Sequence, residues 1–260
     1  MLGLDEISLL KGHRDFVTIA STRNDEGRPV ILAVLEGREK ETVKAFLQSI
    51  PDGLRTTVEE VCIDMYEGFA GAVNEVLPAA RVVADRFHVA RAYRAALDAL
   101  RKSEMRELKQ VLKPEEFAGL KGIMWALRRN HQDLTDEELD LLDLLFECSP
   151  TLHRAYRLRE KLTRIFETAE TKESARRALR RSIAEVRRSG LSCFDSFLGT
   201  LENWMDEITN YFPSRLTSGW VEGFNNRIKV RTRRCYGMPN PASLFRRLWL
   251  DLSGLDAFAS

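Results

Sequence analysis

The strand signal in this chain stops at residue 85, and that boundary limits the architecture more than any single motif does. Before it, short apolar runs rich in β-branched residues stand between turn clusters: Leu2 to Leu10, Phe16 to Ser21, Pro29 to Leu35, Val58 to Ile63 and Arg81 to Ala84. From Arg86 to about Phe212, apolar residues instead recur every three or four positions. Alternation in twos packs one face of a sheet, whereas a period of 3.6 packs one stripe of a helix. Within the first part, Glu39 to Ile50 and about Tyr66 to Leu77 have helical spacing, and Asn24-Asp25-Glu26-Gly27 reads as a hairpin turn between the second and third strands. Three strands followed by helix, strand, helix, strand describe a mixed sheet. The predicted fold class is therefore α/β, a mixed five-stranded sheet with flanking helices and a large all-helical insertion. Residues 1–85 supply the sheet, 86–213 the helical insertion, and 214–260 C-terminal helices that complete the core.

The insertion has several stripes of its own. Val89, Tyr93, Ala96, Leu97 and Leu100 form one, and Leu158, Leu162, Ile165 and Phe166 another. Leu139, Leu142, Leu145 and Phe146 follow Thr135-Asp136-Glu137-Glu138, a helix-start signal. Ala175 to Val186 repeats the pattern among many arginines. A hydrophobic content of 44% with 30% charged residues fits a globular chain with no membrane partner, since no window approaches eighteen apolar residues. The start MLGLDEISLLKGH has an acid pair and is no signal peptide. The cysteines at 62, 148, 193 and 235 are too scattered for a zinc ribbon or a disulfide framework. The expected location is the cytoplasm.

Charge is distributed unevenly along this chain of net charge +1. From Ser214 to Leu250 there are eight Lys or Arg and one acid, Glu222. Thr217, Ser218 and Gly219 are helix-start signals. Arg227, Lys229, Arg231, Arg233 and Arg234 follow Glu222 on a basic helix that suits the phosphates of double-stranded DNA. An acid in a first helical turn is also favoured by the helix dipole alone. Two further acids sit on strands. Asp5 follows the apolar start Met1 to Leu4, and Asp64 ends Val58 to Ile63. If the first and fourth strands are neighbours, Asp5 and Asp64 meet, and Glu222 is the candidate third carboxylate. Such a cluster repels itself unless hard divalent ions neutralise it, and two ions of Mg²⁺ or Mn²⁺ about 3.5–4 Å apart serve phosphodiester chemistry. Each acid has a plainer reading: Asp5 as an exposed strand end, Asp64 or Asp85 as a helix cap, and His88 as a packed histidine one turn beyond Asp85.

Three segments together carry a resemblance. VCIDMYEGFAGAVNEVLPAARVVADRFHVARA resembles the central motif of insertion-sequence transposases of the ISL3 family. LGLDEISLLKGH and LTSGWVEGFNNRIKVRTRRCYGM resemble that family's first-aspartate and glutamate motifs. The resemblance implies an RNase H-like fold, an Asp-Asp-Glu core, and metal-dependent cleavage and joining of transposon DNA ends. It also implies binding of transposon ends and target DNA, with a homo-oligomer in the synaptic complex. Asp5 matches the first catalytic aspartate, Asp64 the second and Glu222 the glutamate, while Asp85 and His88 match a supporting Asp-x-x-His signature. Asp64 is preferred to Asp85 because its strand is the one placed beside that of Asp5. Family members usually begin with a cysteine-rich zinc-binding segment and a helix-turn-helix region. The chain opens four residues before Asp5, so those modules are expected to be missing. The alternatives are a degenerate or truncated remnant that binds DNA weakly and joins nothing, and a non-catalytic helical interaction protein.

Overall fold

In the computed structural model five strands stand where the sequence places them; the structure describes residues 1–8, 16–215, 230 and 240–250. The first strands are β1 (Leu2–Ser8), β2 (Phe16–Arg23) and β3 (Pro29–Glu36), followed by helix α1 (Lys40–Ser49) and a single turn, α2 (Asp52–Arg55). Strand β4 (Glu60–Ile63), helix α3 (Glu67–Val76) and strand β5 (Arg81–Ala84) complete this part. The sheet runs β3-β2-β1-β4-β5. β1 and β3 are both antiparallel to β2, whereas β4 is parallel to β1 and to β5. This mixed five-stranded sheet with flanking helices is an RNase H-like α/β fold, as the sequence predicts.

Local chemistry explains the boundaries. Gly27 takes a left-handed φ of 74° in the β2–β3 turn, and the Asn24 carboxamide oxygen accepts from the Glu26 and Arg28 N–H groups. β4 begins two residues later than the run from Val58 predicts. The reason is α2, where Pro51 C=O accepts from the Leu54 and Arg55 N–H groups and Arg55 C=O accepts from Val58. Val58 is thus engaged in a turn before it can join a ladder. The predicted first strand extends to Leu10, but residues 9–15 lie outside the described residues.

Two compact units are present. The first comprises Met1–His88 and the described part of Asp206–Ser260, and the second is Val89–Met205. In the first, Ile7, Val17, Ile19 and Ile31 form a cluster with Leu244 and Leu248 of the last described helix, Pro241–Trp249. Val43 and Leu47 of α1 and Phe69, Ala72 and Val73 of α3 are fully buried. The Asn210 side chain donates to Val82 C=O of β5 at 2.8 Å.

The second unit is helical throughout its described secondary structure. Helix α4 (Arg86–Val111) starts in the first unit and continues into it, followed by short α5 (Pro114–Gly119) and α6 (Ile123–Ala126). Longer helices come next: α7 (Asp136–Cys148), α8 (Pro150–Thr168) and α9 (Lys172–Arg188), then α10 (Asp195–Asn203). Its core includes Leu120, Ile123, Leu127, Leu142, Leu145, Leu152 and Tyr156. The Tyr93 hydroxyl donates to Ala155 C=O at 2.9 Å, and its ring stacks on Phe194. The buried Arg159 guanidinium donates to Leu127 C=O at 2.8 Å and to Arg128 C=O at 3.3 Å, which supplies partners for a charge otherwise costly to bury.

Candidate metal centre

The strand register brings Asp5 and Asp64 together. In the parallel pair of β1 with β4, Leu4 stands opposite Ile63, so the next step places Asp5 beside Asp64. Neighbouring strands run about 4.8 Å apart and alternate residues share a face. Asp5 therefore projects on the same face as Ile7 and its antiparallel partner Ile19, both of which lie in the cluster with Leu244 and Leu248. Asp5 is half-buried in mid-strand, not at an exposed strand end. Its Oδ1 accepts from the Glu6 N–H at 2.7 Å, while Asp64 Oδ1 accepts from Met65 N–H at 2.6 Å.

His88 is the third member. Asp5, Asp64 and His88 each offer a ligand atom, and the three atoms lie within 4.8 Å of one another. Oxygen ligands stand about 2.0–2.1 Å from a small ion, so donor atoms gathered on this scale can be drawn around one. His88 Nδ1 is 2.9 Å from Asp64 Oδ1, but the carboxylate misses the line of the ring N–H. The contact is thus a close charge approach without an aligned hydrogen bond. Beside the two carboxylates, the imidazole offers a nitrogen donor to the same spot. The mixed N/O donor set suits a divalent ion.

Asp85 follows directly on β5. Continuing the β4–β5 register past Ile63 and Ala84 sets it beside Asp64, but its Oδ1 accepts from the Phe87 N–H at 2.7 Å and so caps the start of α4. Its other oxygen is 3.8 Å from His88 Nε2, beyond hydrogen-bond length. Burial pulls the His88 pKa down, yet Asp64 first and then Asp85 and Asp5 overcome that, leaving it above the ordinary imidazole value. The sequence signal for His88 was the Asp-x-x-His spacing directly after a strand, which puts the ring one helical turn from the strand end. Glu222, Arg227, Lys229, Arg231, Arg233 and Arg234 lie outside the described residues. No helix among the described residues is long and apolar enough to cross a membrane.

Comparison with known proteins places this geometry in context. A family model for ISL3 transposases, described as "Transposase", matches residues 2–248. The transposase for insertion sequence element IS1001 of Bordetella parapertussis is 30% identical over 248 residues, covering 95% of this chain and 59% of its own length. The transposase for insertion sequence element IS1557 of Mycobacterium tuberculosis is 27% identical over 272 residues, covering 97% of this chain and 60% of its own. The chain thus spans about three-fifths of the length of these curated relatives. No solved structure is significantly similar to it.

Proposed function

Because the chain belongs to the ISL3 family of transposases, we propose that it forms the metal-dependent core that cleaves and joins DNA strands at transposon ends. The observation that supports this most directly is the approach of Asp5, Asp64 and His88 to within 4.8 Å, in a fold where register alone aligns the two aspartates. In this reading Asp5, Asp64 and Glu222 hold Mg²⁺ or Mn²⁺. The basic residues Arg227, Lys229, Arg231, Arg233 and Arg234 hold the backbone of double-stranded DNA. A bound divalent ion supplies activation of a water or 3′-hydroxyl and stabilisation of the leaving oxygen. Asp64 is favoured over Asp85 as the second carboxylate because β4 is the strand beside β1 and Asp64 is the acid grouped with Asp5. Asp85 is then a positioning residue, since the turn it caps holds His88 against Asp64.

Thermal melts with and without Mg²⁺ or Mn²⁺ test the reading. An ion that binds only the folded chain stabilises it, by about 2.7 kcal/mol at one hundred times its dissociation constant. Asp64→Asn and Glu222→Gln should each abolish that shift and any metal-dependent nicking of duplex DNA, while circular dichroism stays unchanged. Metal stabilisation of equal size in both variants would sink the proposed centre.

A further inference from the structure

We propose that α8 and α9 of the helical unit form a second DNA-binding surface, one that grips the backbone of a duplex without reading its sequence. The proposal rests on the reading of the chain as a DNA-processing enzyme, and it concerns residues far in sequence from the basic segment after Glu222. Between Pro150 and Arg188 there are twelve Lys or Arg against five Asp or Glu, whereas the preceding α7 has six acids and no Lys or Arg. Charge within this unit is therefore sorted by helix.

Helical geometry turns that composition into a row. At 100° per residue, Arg177, Arg181 and Arg188 fall within about 40° of one another around α9, and Arg180 stands beside them. All four are exposed, while Ala175, Leu179, Ile183 and Val186 occupy the buried face. Among the described residues none of these four arginines has a carboxylate partner, in contrast to Arg187, which pairs with Glu202 at 2.7 Å. On α8, exposed Arg154 and Arg157 line a groove of about 310 Å³ shared with Lys161, which pairs with Glu185 of α9. On the other flank of α9, Arg180, Arg187 and Arg188 line a hollow of about 520 Å³ that reaches Glu202 and Met205. The arginine row thus stands as a ridge between two depressions.

The dimensions and chemistry match a duplex backbone. From Arg177 to Arg188 the row is about 16 Å long at 1.5 Å per residue, a length over which one DNA strand presents about five phosphates. Single-stranded nucleic acid is held by aromatic stacking as well as charge, and here the aromatic side chains Tyr156 and Phe166 are buried. Contacts of this kind position a duplex and do not specify a sequence.

The test uses the full chain, a random-sequence duplex several turns long, and fluorescence anisotropy over a salt series. Replacing Arg177, Arg181 and Arg188 together by alanine should reduce the slope of log K against log salt by about 2.7, at about 0.9 per phosphate contact. The wild type should then lose about 40-fold more affinity than the variant when salt is raised fourfold. The triple lysine variant should restore most of the slope. If the wild type binds duplex and the alanine variant keeps its slope, the surface is not a DNA site, although the metal-centre reading stands. Equal loss of slope on a single-stranded oligonucleotide would overturn the duplex assignment. A wild type that binds no duplex even at low salt would remove the functional reading itself, and this proposal with it.

Discussion

The helices α1 and α3, set between strands, begin differently from α7, α8 and α9 of the helical unit. In the sheet unit, α1 starts at Glu39 and α3 at Tyr66, and neither residue makes a side-chain capping bond. In the helical unit, Thr135, Ser149 and Thr171 cap α7, α8 and α9, each accepting from a backbone N–H of the first turn. A helix tied between strands has its ends placed by the ladder and by burial of residues such as Val43, Leu47 and Phe69. Helices α7, α8 and α9 carry start signals of their own, which pair first-turn N–H groups that are otherwise unpaired, as Asn240 does for the helix Pro241–Trp249. Charge follows the same division. The sheet converges Asp5 and Asp64 onto one spot, where His88 of α4 joins them, while α8 and α9 spread their arginines along exposed rows. A ladder concentrates functional groups, and a helix periodically distributes them.

The largest expected effect probes what the two units share, a packed interior. Phe69 and Leu145 are both fully buried, one in each unit. Phe69→Ala should cost about 3–5 kcal/mol and Leu145→Ala about 2–5 kcal/mol in urea unfolding. A loss below about 1 kcal/mol for either would show that its unit is loosely packed. The capping contrast is the next test. Thr135→Ala breaks a reciprocal box in which Thr135 Oγ1 accepts from Glu138 N–H and Glu138 Oε2 accepts from Thr135 N–H. It should cost about 1 kcal/mol. Glu39→Ala at the equivalent position of α1 should stay within about 0.5 kcal/mol. Equal costs would erase the distinction.

The smallest effect is electrostatic and lies on the sheet unit's surface. Hydrogen bonds from Lys40 and then Lys44 lower the Glu75 pKa to about 2. A depressed carboxylate contributes stability above its unfolded pKa, and the contribution is lost as pH falls through the folded value. Wild-type stability should therefore decline between about pH 4.5 and pH 2 slightly more steeply than that of Glu75→Gln. The difference should shrink in high salt, because these groups are exposed. Parallel pH curves for the two proteins would remove any role for the pair.

Much of this was legible in the sequence because it depends on short-range patterns. The β2–β3 turn is marked by Asn24 and Gly27, the start of α7 by Thr135 and Glu138, and β5 by the apolar run Val82 to Ala84. The neighbouring placement of β1 and β4 was expected, and with it the meeting of Asp5 and Asp64. His88 was harder to weigh, because a lone histidine on a helix has no local pattern that separates a packed ring from a ligand. Its place beside Asp64 depends on where the β5–α4 junction sits in three dimensions. The single turn α2 was also missed, since Pro51-Asp52-Gly53 reads equally well as a plain stop.

The parallel register of β1 and β4 sets a rule for insertions and deletions. Side chains alternate faces along a strand, so one residue added between Val61 and Asp64 would turn the carboxylate away from Asp5 and onto the opposite face. Two added residues would restore the face but displace the group by about 6.6 Å along the strand, beyond the reach of one small ion. Loops between the helices face no such parity rule, so a length change there leaves the alignment of the two aspartates intact. Natural variation in chain length is therefore expected to collect in the helical unit, while the spacing from Glu60 to Asp64 stays constant to the residue.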